Sequence, residues 1–239
     1  MEKLQNELDR LIATLPNAKA FRDSLDTLVS VYPFNDYEYI IAALLAADKL
    51  THDEYIELRD AYIARNMFMY IFEISAPRGF GEAWAQGHLK ELVPELQKPS
   101  KKNDPSYSGQ YDFFLDGKIK IEVKASRAVD FEQDAPLYVK ALASDSKKRF
   151  DMNFQQVKPA CCDVFIWIGV WRDVIRYWVL ASKEMESNKY YSTGQHRGNV
   201  GEGQLHLKDD NIAEFSKYEA KSNQLAEAIR SAYKRQTKK

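Results

Sequence analysis

Residues 110–127 read Gln-Tyr-Asp-Phe-Phe-Leu-Asp-Gly-Lys-Ile-Lys-Ile-Glu-Val-Lys-Ala-Ser-Arg, two short apolar runs that meet at Asp116-Gly117. An Asp-Gly pair between apolar runs signals a hairpin, because both residues tolerate the backbone angles of a tight reversal. The second run carries Glu122-Val123-Lys124. Side chains alternate across a strand, so Glu122 and Lys124 project together while Ile121 and Val123 take the other face. Asp112 stands early in the first run. A two-residue loop, Asp116-Gly117, would set Asp112 opposite Ile121 and away from Glu122. A three-residue loop, Leu115-Asp116-Gly117 with Gly117 left-handed, sets it opposite Lys120, on the face of Glu122 and Lys124. The second register is expected, since it gathers the carboxylates in a regular hairpin. Two carboxylates can hold a hard divalent cation, and a neighbouring lysine can steady a water or a phosphate oxygen. These are the parts of metal-assisted phosphodiester hydrolysis. An amphipathic surface hairpin shows the same alternation, so the surroundings must decide between the two.

Tyr111-Asp112 followed by Glu122-Val123-Lys124 resembles the PD-(D/E)xK nuclease superfamily, with Tyr111 in place of the usual proline. The motif covers about fifteen residues, and the wider likeness runs over roughly 76–207. The resemblance implies an α/β fold with a restriction-endonuclease-like mixed β-sheet flanked by helices. It implies Mg2+ bound by Asp112 and Glu122, with Val123 counted among the ligands, and an attacking water positioned by Lys124. Members often place a supporting glutamate on the helix before the hairpin, and Glu82 has that order and spacing. A Gln or Lys after the Glu-x-Lys strand commonly supports the site, which makes Gln155, Gln156 and Lys158 candidates. The activity implied is that of a type II restriction endonuclease cutting duplex DNA at a short sequence in a prokaryotic cytoplasm. A cognate DNA methyltransferase would protect host sites. Cutting both strands of a palindrome calls for two active sites, which a homodimer supplies.

The 239 residues suffice for one large domain, or for a catalytic domain with a helical extension. The expected division is a helical region over 1–75 and a nuclease core over 76–239. Apolar residues make up 45% and charged ones 29%, an ordinary soluble composition. No apolar run approaches a membrane span, and Met-Glu-Lys-Leu-Gln-Asn-Glu at the start does not read as a signal peptide. Cys161 and Cys162 are adjacent, which excludes a disulfide framework and suits a reducing compartment. With 34 basic and 35 acidic residues the net charge is −1. That argues against a polycation coating nucleic acid, while leaving room for local basic patches.

Along the chain, Leu4, Leu8, Leu11, Ile12 and Leu15 recur at helical spacing, and Tyr37–Lys49 is dense in Ile, Leu and Ala. Thr51 with Glu54 forms a capping-box pattern that should open a long helix to about Ile74. Ala76-Pro77-Arg78-Gly79 breaks it, and Glu82–Leu92 begins another. Lys147-Lys148-Arg149 is a basic cluster available to DNA, and Phe150–Lys158 reads as a helix ended by Pro159. Asp163–Val170 and Val174–Ala181 are continuous apolar runs around Trp-Arg-Asp, the pattern of strands buried on both faces. The loop at 188–199 holds Gln195, His196, Arg197 and Asn199, side chains suited to base edges and phosphates. Its His-Arg-Gly-Asn run lacks the partners of a histidine-based metal nuclease. Gly203–Leu207 should be the last strand, with a closing helix over 211–235. No phosphate-cradling Gly-rich loop appears, which excludes NTPase and dinucleotide chemistry. Two other readings remain open: a repair or recombination nuclease that recognises DNA structure, and a DNA-binding module whose carboxylates only stabilise the hairpin.

Overall fold

The computed structural model describes Arg10 and residues 12–25, 36–193 and 202–238. The chain is a mixed α/β protein with N-terminal helices, a five-stranded mixed sheet, a three-stranded sheet and a C-terminal helix. It divides into two units, Met1–Met67 and Phe68–Lys239.

The first unit contains helices α1 (Ala18–Leu25), α2 (Asp36–Ala46) and α3 (His52–Arg65). The capping box forms as the sequence indicates. Glu54 N–H donates to Thr51 Oγ1 at 3.2 Å, and Thr51 N–H donates back to Glu54 Oε2 at 2.8 Å. The expected run to Ile74 is corrected: α3 ends at Arg65, and Asn66 donates its side-chain amide to the Tyr62 carbonyl. A separate 3-10 turn, Met69–Glu73, follows. Its Ile71 and Phe72 are buried in the core of the second unit.

In the second unit, a π-helical turn at Gly79–Ala85 runs into α4 (Gln86–Leu92). The strands are β1 (Phe113–Leu115), β2 (Ile119–Arg127), β3 (Asp151–Val157), β4 (Val164–Val170) and β5 (Ile175–Ala181). After them come α5 (Ser182–Glu186), β6 (Tyr191–Thr193), β7 (Gly203–Lys208), β8 (Glu219–Ala220) and α6 (Leu225–Thr237). One sheet has the order β1-β2-β4-β5-β8, with β2 and β4 parallel and the other neighbours antiparallel. The other has the order β3-β7-β6.

The fully apolar β4 sits at the centre because both of its faces are covered. Val164, Ile166, Ile168 and Val170 pack with Leu89 of α4 and with Leu225, Ile229 and Ala232 of α6. Phe165 and Trp167 pack with Met152 and Phe154 of β3 and with Leu205 and Leu207 of β7. Trp178, directly opposite Trp167, lies so close to β4 that only glycine fits at 169, where an added Cβ would stand 2.7 Å from the Trp178 ring. Each large side chain withdrawn from water here contributes roughly 2–3 kcal/mol, which makes β4 the anchor for β2 beside it.

Two expectations at this level are overturned. Residues 151–157 form strand β3, not a helix. Met152 and Phe154 alternate inward against β7, and a bulge at Gln155-Gln156, with Gln156 at φ 54°, returns Val157 to the core. Nor is Gly203–Lys208 the last strand. Residues 212–224 hold 3-10 turns and the short β8, so the closing helix begins only at Leu225.

Candidate active site

The β1–β2 hairpin builds the site. Asp116 (φ 54°) and Gly117 (φ 66°) both adopt left-handed backbone, and Lys118 N–H closes the turn on the Leu115 carbonyl at 3.1 Å. Lys118 is the extra residue of a three-residue loop, so Leu115 pairs with Ile119, Phe114 with Lys120 and Phe113 with Ile121. The expected pairing of Asp112 with Lys120 is therefore corrected by one step on each strand. Leu115 is held in the core and cannot serve as a loop residue. The parity is the same in both registers, and Asp112 arrives beside Glu122. From there Asp112 Oδ2 accepts the Val123 N–H at 2.8 Å.

Ile121 and Val123 are buried on the helical side of the sheet, while Glu122 and Lys124 lie beside Phe165 and Trp167 on the other. Lys124 Nζ stands 2.8 Å from Glu122 Oε1, and both side chains keep about a fifth of their surface, 18% each. Glu122 and Asp112 lie close enough that each acts on the other's ionisation. Burial raises the Asp112 pKa, against the pull of the Val123 N–H and of the Lys124 and Lys98 charges. Burial also drives Glu122 up to about 7; the Lys124 charge opposes this and the Asp112 charge adds to it. Two adjacent carboxylates that are costly to ionise in the protein alone form a site that a small divalent cation would relieve.

Mg2+ fits this donor set. It is commonly held by one or two carboxylates, with waters and substrate oxygens completing six ligands. Among the described residues no group of three or more His, Cys, Asp or Glu side chains is placed to hold a metal by itself. The Val123 side chain is buried in the core, so only its main-chain carbonyl could join Asp112 and Glu122.

Two residues not singled out for catalysis also meet here. Gln86, in the first turn of α4, donates Nε2–H to Asp112 Oδ1 at 2.6 Å. Lys98 donates to Gln86 Oε1 and lies 4.3 Å from the centre of the Phe113 ring. Glu82, one turn earlier, is exposed and its ion-pair partner is Arg78 at 3.9 Å. No local pattern in the sequence marked Gln86, whose partner Asp112 lies 26 residues further on.

The remaining expected residues lie in different places. Gln155 and Gln156 are exposed on the β3 bulge. Lys158 forms an ion pair with the buried Glu202 at 2.5 Å, and that contact raises its pKa. Lys148 pairs with Asp130, beyond the far end of β2, at 2.7 Å, and Lys147 beside it is exposed. Gln195, His196, Arg197 and Asn199 fall outside the described residues. Among the described residues no helix is long and apolar enough to cross a membrane.

A scan against protein-family models matches none of them, and a search of curated proteins finds no match.

Proposed function

We propose that the chain is a Mg2+-dependent endonuclease with a restriction-endonuclease-like fold, cutting duplex DNA at a short specific sequence as type II restriction enzymes do. The observation that carries this reading is the meeting of Asp112 and Glu122 on one hairpin, with the Lys124 ammonium 2.8 Å from Glu122. A magnesium ion held by the two carboxylates would supply Lewis-acid polarisation of the scissile phosphate and a more acidic water. The protein does the rest by position. Val123 N–H and Gln86 orient Asp112, and β4 fixes Glu122 and Lys124 in register. Lys124, beside Glu122 on the same face of β2, would orient the nucleophile and offset the charge growing on the phosphoryl oxygens. A homodimer would present two such sites to a palindrome, and a methyltransferase acting on the same sequence would be the functional partner.

The test is incubation of the purified protein with unmethylated phage DNA, with and without Mg2+, beside an Asp112→Ala variant. Discrete fragments that need both Mg2+ and Asp112 are expected. A smear would move the reading to a structure-directed nuclease. No cleavage of unmethylated, methylated or branched DNA would leave only a binding module.

A further inference from the structure

We infer that Gln86 and Lys98 are positioning residues acting in series: Lys98 fixes the orientation of the Gln86 amide, whose NH2 then sets Asp112 for a divalent cation. This rests on the metal-dependent reading of the site and extends it to residues outside the Asp112–Glu122–Lys124 group.

A carboxylate on a single bond rotates, and its usefulness as a ligand depends on where its lone pairs point. Asp112 is held at both oxygens, Oδ2 by the Val123 N–H at 2.8 Å and Oδ1 by Gln86 Nε2 at 2.6 Å. One donor on each oxygen fixes the carboxylate plane and leaves further lone pairs for a cation. The Val123 donor belongs to the backbone of β2 and cannot turn. The Gln86 donor can: an amide flipped by half a turn would present its oxygen to Asp112 and repel it. Lys98 removes that ambiguity. An ammonium group only donates, so it can approach only Oε1, and Oε1 is the atom it meets.

Lys98 is itself held on rigid structure. Its neighbour Gln97 exchanges two backbone hydrogen bonds with Phe114, of 2.9 and 2.8 Å, and its own ammonium sits over the Phe113 ring. The segment after α4 thus runs along β1 and delivers the ammonium to the amide. Partners of this kind, one step removed from a metal, typically change its affinity by 10–100-fold.

The experiment is Mn2+ binding to the full chain, measured by calorimetry without DNA, with Asp112→Ala as the blank. Gln86→Leu and Lys98→Met are each expected to weaken Mn2+ by about tenfold. The double variant should be no weaker than Gln86→Leu alone, and Lys98→Arg should recover binding. The sign for Lys98→Met is decisive. If Lys98 were only a nearby positive charge, its removal would tighten a cation, and an unchanged or tighter Kd overturns the proposal. Penalties that multiply in the double variant overturn the serial arrangement. Lys98 is exposed, so its variants keep the test open should Gln86→Leu fail to fold, which a thermal melt reveals. Wild-type protein without Asp112-dependent Mn2+ binding would remove the metal reading together with this inference. Such binding, present and indifferent to both substitutions, would remove this inference alone.

Discussion

Strand β2 carries two lysine–carboxylate clusters on one face, and they are electrostatic opposites. At Lys120, the ammonium meets Asp104 at 2.8 Å, and Asp104 also accepts from Ser106 N–H, Ser106 Oγ and Tyr111 OH. These donors, Lys120 first, hold the Asp104 pKa well below the usual carboxylate range, while burial and the Asp104 contact push Tyr111 up. Four residues along, Lys124 meets Glu122 at the same 2.8 Å, yet burial and Asp112 hold the Glu122 pKa high. The distance between charges does not separate a relaxed ion pair from a strained one. The supply of further donors does. Asp104 is fully served and gains nothing from a ligand, whereas the Asp112–Glu122 pair carries a strain that a cation would relieve.

The contrast breaks first at Lys124. Lys124→Ala is expected to lower cleavage by at least a hundredfold while leaving specific DNA binding in place, as a gel-shift assay in Ca2+ would read. Full cleavage by that variant would strike Lys124 from the mechanism. Asp104→Ala should do the reverse. It leaves the Tyr111 hydroxyl, the Lys120 ammonium and the Ser106 donors without their shared acceptor, so the melting temperature should fall. Mn2+ affinity at Asp112 should change little.

The pH dependence of stability separates the clusters with opposite signs. The Glu122 pKa is raised in the fold, from 4.5 to about 7, so the protein binds more protons there than the unfolded chain. Stability in the absence of metal is therefore lost as pH rises between those values. Asp104 is lowered, so its contribution is complete above about pH 4 and is lost as pH falls below that. Glu122→Gln is expected to flatten the thermal-melt profile between pH 5 and 7, and Asp104→Asn the acid limb. A metal-free profile with no slope between pH 5 and 7 would contradict the strain assigned to Glu122.

The same two clusters show what the sequence could reveal. Alternation placed Glu122 and Lys124 on one face, and the unbroken apolar run at 164–170 marked β4 as a strand covered on both sides. Periodicity also carries parity, so Asp112 came to the right face although the loop was placed one residue early. What periodicity lacks is distance along the chain. The Gln86–Asp112 bond spans 26 residues and the Lys120–Asp104 pair depends on how a polar loop folds back, so neither left a local pattern. Residues 151–157 misled for a related reason. The Gln155-Gln156 bulge interrupts the alternation, and the partner that makes the segment a strand, β7, lies some 50 residues away, as the Asn153–Gln204 side-chain bond illustrates with its separation of 51.

The smallest expected effect concerns the basic cluster after β2, where the same contrast between served and unserved charges recurs at the surface. Lys148 is already paired with Asp130, whereas Lys147 is exposed. Lys147→Ala should not move the melting temperature measurably, whereas Lys148→Ala takes the cation from the buried Asp130 and should lower it slightly. Their effects on DNA should differ. A lysine that neutralises a phosphate contributes about 0.9 to the slope of log affinity against log salt. A phosphate reaching Lys148 must first displace Asp130 and gains correspondingly less. Lys147→Ala is therefore expected to reduce the slope by close to that amount, and Lys148→Ala by distinctly less. Equal reductions would mean that DNA displaces Asp130 without penalty. No reduction in either variant would place the DNA path away from this cluster.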